Sequence, residues 1–202
     1  MLQNQITKIV RNWRLRGLAK QVRNGITPRH ATREEIMEAL ALTRPKNAVE
    51  LFGFLTTRVF GADGVMRDDY RLQSVRKVTT EFTKFLADGL CNSAVAAGLD
   101  NFIYHGVGDG STAEASGDVA MVSSQGTRVA GSQTHGATSN IYRSLKTFVA
   151  SAAFTCIEHG LFDTLTAADD KLLDRSIITS PPTLATGDEV EFTYELTINS
   201  ET

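Results

Sequence analysis

The sequence predicts an α+β protein in which a helical N-terminal arm precedes an antiparallel β-sandwich or small barrel packed by one helix. Three observations carry this expectation. Near residue 100 the spacing of apolar residues changes from the 3.6-residue rhythm of helices to the two-residue rhythm of strands. At the C-terminus Val190, Phe192, Tyr194, Leu196 and Ile198 alternate with Glu189, Glu191, Thr193, Glu195 and Thr197, the pattern of a strand with one buried side. The late segments are separated by Gly, Ser, Thr and Asp clusters instead of helical stretches, which argues against a parallel sheet with crossover helices.

The arm is expected to span residues 1–62. Ile6, Ile9, Val10 and Trp13, then Leu15, Leu18 and Val22, recur at helical spacing but fall out of phase around Gly17, so a kinked or broken helix is predicted there. Gly25 and Pro28 mark a loop. Thr32 with Glu35 three residues on reads as a capping box opening a short helix to about Leu42. Pro45 stops it, and Asn47 with Glu50 repeats the spacing ahead of Val49, Leu51, Phe52, Phe54, Leu55, Val59 and Phe60. That run predicts a second helix, apolar on more than one face, that must bury itself against the β-domain or another subunit.

The β-sandwich domain is expected over residues 63–202. A strand at 65–75 leads to a helix at 78–97, marked by Val78, Phe82, Phe85, Leu86 and Leu90 at i, i+4, i+7, i+8 and i+12. Strands follow at 102–107, 119–123, 127–134, 139–149, 151–157 and 172–179, and then the terminal alternating segment.

With 42% hydrophobic and 22% charged residues, the composition is that of a globular chain with enough apolar surface for a core. The formal net charge of −2 hides a polarity: Lys8, Arg11, Arg14, Arg16, Lys20, Arg23 and Arg29 all precede the first acidic residue, Glu34, whereas the chain from Glu158 onward is mostly acidic. Such an arrangement suits two ends that face different partners or neighbouring copies. No stretch reaches the ~20 apolar residues of a membrane span, and no signal-type leader is recognised, so synthesis inside the cell without signal-dependent export is expected. Cys91 and Cys156 are too few and too distant for a disulfide framework or zinc site; two reduced, partly buried thiols are expected.

No chemistry-bearing motif rises above background, and no catalytic, cofactor-binding or metal-binding residue is assigned. Gly106-Val107-Gly108-Asp109-Gly110 follows a predicted strand but leads to another strand, so a turn is preferred over a dinucleotide site. Among the histidines His30, His105, His135 and His159, the nearest metal constellation is Glu158-His159 with His105 and Glu114. It requires the fold to join separate segments, and ordinary hydrogen-bonded histidines are preferred. Six cations in the first 24 residues surround Trp13, yet no nucleic-acid reader motif accompanies them; an acidic protein surface is the preferred partner over DNA.

The run Phe102-Ile103-Tyr104-His105-Gly106-Val107-Gly108-Asp109-Gly110-Ser111-Thr112-Ala113-Glu114-Ala115, followed by Gly117-Asp118, Ala120 and Val122, resembles a block found in uncharacterised structural proteins of tailed bacteriophages. Three later pieces are similar to the same family: Thr127-Arg128 with Gly131-Ser132-Gln133; Glu158-His159-Gly160-Leu161-Phe162; and Leu173-Asp174-Arg175-Ser176 leading to Gly187-Asp188 and the terminal strand. The resemblance runs from about residue 65 to the end, and the helical arm has no counterpart in it. It implies a virion component made in the host cytoplasm, built as a β-sandwich and without a catalytic role.

The expected function is therefore that of a capsid decoration or cement protein, with the arm clamping adjacent subunits of the major capsid protein and the β-domain forming homo-oligomers. A tail, neck or baseplate part is the alternative, and a small sugar-binding or hydrolytic sandwich a third. The expected interface residues are Trp13, Arg11, Arg14, Arg16, Phe52, Phe54 and Phe60, because large apolar side chains carry most binding energy when desolvated. Removing residues 1–60 is expected to leave a soluble β-domain.

Overall fold

The two-residue rhythm builds two antiparallel sheets, and it begins earlier in the chain than expected. In a computed structural model, which describes residues 2–28, 30–43, 50–91, 98–138, 140–166 and 170–199, the chain starts with two helices, α1 (Leu2–Arg23) and α2 (Arg33–Leu42). It continues through β1 (Glu50–Phe60), β2 (Met66–Lys77) and α3 (Thr80–Cys91). The later strands are β3 (Tyr104–Gly108), β4 (Val129–Ala130), β5 (Ser132–His135), β6 (Ile141–Val149), β7 (Phe154–Thr155), β8 (Glu158–Phe162), β9 (Leu172–Ile177), β10 (Thr183–Leu184) and β11 (Glu189–Asn199). One sheet has the order β2-β1-β11-β6-β5 and the other β4-β3-β8-β9, with a small β10-β7 ladder beside them.

The alternation of β11 sets the layers. Val190, Phe192, Tyr194 and Leu196 are buried against Leu55, Val59 and Phe148 of the same sheet and Val107, Leu161 and Leu173 of the other, and together they form the sandwich core. Ile198, on the same side of the strand, is 46% exposed at the sheet margin. Phe82 and Phe85 of α3 close one flank, both meeting Phe102 edge-on at ring distances of 5.0 and 5.2 Å.

The segment expected as a second helix is β1, paired with β11 on one side and β2 on the other along its length. Periodicity alone misleads here because both faces of β1 are covered: Leu55 and Val59 enter the sandwich core, while Phe52 and Phe54 enter a second core with Leu15, Ala19, Val22, Ile36, Ala39, Leu40 and Val75. A strand buried on both faces reads as a continuous apolar run, as a buried helix does. Gly53 and the β-branched Thr56, Thr57 and Val59 favour the extended form. The ring of Tyr194 lies against Gly53 so closely that a Cβ there would come within 2.8 Å of it. The sheet thus begins at residue 50, ahead of the boundary expected near 62, and deleting residues 1–60 would remove a strand paired on both sides.

Helix α1 is continuous across Gly17, which lies on the solvent side; a glycine there costs about 1 kcal/mol but does not break a helix anchored by packing. Its buried residues Leu15, Ala19 and Val22 share one face. The capping box of α2 is present as expected, Thr32 Oγ1 accepting from the Glu35 amide and Glu35 accepting from the Thr32 amide. Asn47, proposed to cap the next helix, lies outside the described residues, and Glu50 instead accepts two hydrogen bonds from the Arg23 guanidinium at 3.0 and 2.8 Å.

The expected helix 78–97 is α3, and residues 92–97 lie outside the described residues. Residues 119–123 form no strand. They lie across the outer face of the four-stranded sheet, where Ser124 makes one bridge to Gly108. Gly106 and Gly108 belong to β3, not to a turn. The segment expected as one strand at 127–134 is broken at Gly131: β4 pairs with β3 in one sheet and β5 with β6 in the other. Within 151–157 only Phe154 and Thr155 are extended. Of the two thiols expected to be partly buried, Cys156 is fully buried and Cys91 is exposed.

Candidate functional site

The alternation of three short strands brings His105, His159 and Ser144 together between the sheets. His105 and Val107 of β3 and His159 and Leu161 of β8 point inward from one sheet, and Ser144 and Phe148 of β6 point inward from the other. His105 Nδ1 lies 2.8 Å from His159 Nε2, and His105 Nε2 lies 2.7 Å from Ser144 Oγ. All three residues are 0% exposed. The His159 ring also packs on Phe192 at a centroid distance of 4.8 Å.

Protons can be placed in this chain in two consistent ways. Ser144 donates to His105 and His105 to His159, or His159 donates to His105 and His105 to Ser144. Either way, Nδ1 of His159 is left without a partner among the described residues, as are the hydroxyls of Thr57, Ser74 and Tyr194. Burial pushes the His105 imidazole down to about 3, with the Lys146 ammonium adding to the effect, and pushes His159 well below its usual value, with His105 contributing. Beside them Asp174 is also buried; loss of hydration raises its carboxyl to about 7 against the opposing hydrogen bond from Ser176 Oγ at 2.8 Å. Tyr194 is raised well above its usual range by burial, with Asp174 adding to it.

The order Ser144–His105–His159 is that of a nucleophile, a base and an orienting group. Two features oppose that use. An imidazole at about 3 is a weak base near neutrality. The strand crossing at Gly131 also seals the Ser144–His105 bond, since a Cβ there would lie 2.7 Å from His105 Nε2 and 2.8 Å from Ser144 Oγ. These contacts tie β3 and β8 to β6 through polar groups in a low-dielectric layer, where geometry is strict and misregister costly.

The outer face of the same sheet carries a second polar cluster. Glu158 accepts from the amides of Val122 and Ser123 at 3.2 and 2.7 Å and from Arg175 Nε at 2.7 Å, with the two charged side chains 0% and 1% exposed. Arg175 also donates to Asp118 at 3.0 Å and to the Thr112 carbonyl at 2.8 Å. Glu114 pairs with Arg76 and accepts from the Ile177 amide at 3.3 Å. The long connection after β3 is fixed to the sheet by these contacts.

Of the metal constellation considered from sequence, His105 and His159 do meet, but Glu158 and Glu114 belong to the opposite face and are bound to arginines; among the described residues no group of three ligating side chains gathers. Ser144 was not singled out. Its signal was its place among Tyr142, Lys146 and Phe148 on the inward side of β6.

The expected interface residues separate into two groups. Phe52 and Phe54 are 0% and 1% exposed inside the chain and do not face outward, because the helical pair covers that side of the sheet; Phe60 is half-buried. Trp13 is 76% exposed and Val10 62%. By helical angle Val10, Trp13, Arg16 and Lys20 share the stripe opposite the buried face. Arg11 and Arg14 turn sideways to α2, pairing with Glu38 at 2.8 Å and with Glu35. Compared with known proteins, the chain matches no family model, no curated protein and no solved structure.

Proposed function

We propose that this chain is a structural component of a tailed-phage virion, a capsid decoration or cement protein that docks through the outer stripe of α1 on an acidic surface of the major capsid protein. The observation that carries the reading is Trp13, 76% exposed on a helix whose opposite face is fixed to the sheet. Arg16 and Lys20 flank it and make no ion pair among the described residues. A rigidly held aromatic side chain ringed by unpaired cations has the composition of an interface hot spot facing negative charge. The resemblance in the β-domain supplies the virion setting, with synthesis in the host cytoplasm and assembly of several copies.

The test is incorporation. W13A and R16E/K20E should leave the fold unchanged by circular dichroism and reduce copies per particle at least tenfold. Normal incorporation of both would overturn the docking surface. Copy number in the unmodified particle separates the tail, neck or baseplate alternative from the shell: roughly hundreds for a cement, a dozen or fewer for a ring component.

A hydrolytic sandwich is favoured by one observation, the Ser144–His105–His159 geometry. Ser144 buried under Gly131 should stay unlabelled by a fluorophosphonate in the folded protein. Stoichiometric labelling that is lost in S144A would favour the enzyme.

A further inference from the structure

A separate feature lies at the open margin of the sandwich. Strand β5 accompanies β6 only as far as the pair Ser132–Leu145, and β4 leaves for the other sheet at Gly131, so residues 146–149 run on without a β5 partner. The two sheets part there and leave a cleft of about 450 Å³, within the roughly 300–1,000 Å³ of small-molecule sites. Its walls are the inward side chains Val107, Phe148 and Val190, together with Phe154 and Leu184 from the small ladder.

One charged group lines this cleft. Lys146 stands on β6 two residues from Ser144 and two from Phe148, so it shares their inward side. It makes no ion pair or hydrogen bond to any described residue, whereas the half-buried arginines Arg23, Arg33, Arg76, Arg128 and Arg143 are each paired with a carboxylate. The ammonium is near enough to the interior for its field to reach His105. An apolar recess with one unmatched cation and polar groups at its rim, Gln125 and Thr127 among them, is complementary to a small amphipathic anion.

We propose that the cleft between β6 and β3 binds a small monocarboxylate with an apolar body, the carboxylate on Lys146 and the body against Phe148, Val190 and Leu184. The site is independent of the helical stripe, which lies beyond the outer face of the five-stranded sheet, and its occupancy does not require the virion reading.

The experiment titrates the full-length protein with 4-phenylbutyrate, and with 4-phenylbutan-1-ol as the uncharged counterpart, by calorimetry and amide chemical shifts. The acid should bind at least tenfold tighter than the alcohol, since a hydrogen bond to a charged partner contributes more than a tenfold gain. K146Q should bring the acid to the level of the alcohol without changing thermal stability by more than a few degrees. A152W, at an exposed wall position, should exclude both, with shifts in the wild type confined to residues around 107, 125–129, 146–154, 184 and 190. No binding at 5 mM, acid binding unaltered in K146Q, or shifts elsewhere would each overturn the proposal.

Discussion

Lowering the pH from 7 to 5 should destabilise the protein through His105 and His159, and Asp174 should conceal about half of the effect. Each histidine has an unfolded value near 6.5 and a folded value far below it, about 3 for His105. Between those values the unfolded chain binds a proton that the native state refuses, so stability is present above 6.5 and is lost as the pH falls. From pH 7 to 5 each histidine contributes a loss of about 2 kcal/mol, at 1.36 kcal/mol per unit with most of the change below 6.5, or about 4 kcal/mol for the pair. Asp174 has the opposite sign. Its folded value is raised to about 7 from 3.8, so its contribution is present at low pH and lost as the pH rises through 7. Acidification from 7 to 5 therefore returns about 2 kcal/mol. The wild type should lose only about 2 kcal/mol over the window, and D174N, which has no proton to take up, about 4. Urea unfolding at pH 7, 6 and 5, followed by near-ultraviolet and far-ultraviolet dichroism, measures both. Parallel pH profiles for wild type and D174N, or a wild type that gains stability on acidification, would refute the assignment of buried neutral histidines opposed by a buried neutral carboxyl.

Three further outcomes follow from the packing. G131A places a methyl group against the His105–Ser144 bond and should cost about 1–3 kcal/mol in urea unfolding; a neutral substitution would mean that the edge crossing is looser than described. R175M strands Glu158 in the interior and should cost about 3–5 kcal/mol, with E158Q/R175M recovering a substantial part; equal losses in the single and double variants would show that the pair is not the origin. Removing residues 1–43 uncovers Phe52, Phe54 and Val75 at once and should give a protein that aggregates or elutes as large oligomers, where a monodisperse monomer would contradict the continuity of helical pair and sheet.

The residues that announced themselves were those whose burial is one-sided. Val190 through Leu196 alternate because one side of β11 meets the sandwich core and the other is more polar, and α3 is amphipathic because only one of its faces meets the sheets. Thr32 and Glu35 were legible because a capping box is a local reaction of side chains with adjacent amides. β1 was not legible, since its two faces enter two cores and the contrast that marks a strand is erased. The break at Gly131 depends on which partner each half of the segment finds, information held by β3 and β6 and not by residues 127–134 themselves. The polar interior was half visible: His105 and His159 had been grouped, but their meeting with Ser144 across the sheets and the role of Arg175 as the partner of Glu158 depend on contacts 17 to 54 positions apart in the chain.

The double burial of β1 also determines how the helical pair can act mechanically. Arg23 is tied to Glu50, Arg33 to Glu195, and Phe52 and Phe54 fill the seam beneath both helices. A segment held in this way is a bracket and not a tether: Trp13 is presented at one angle fixed by the sheet, so the docking proposed for it would not have to immobilise a loose chain and would waste little entropy on it. The same stiffness removes tolerance, because a receiving surface displaced by a few ångströms cannot be reached by bending. On the docking proposed above, attachment through this helix would distinguish one curvature of a receiving surface from another.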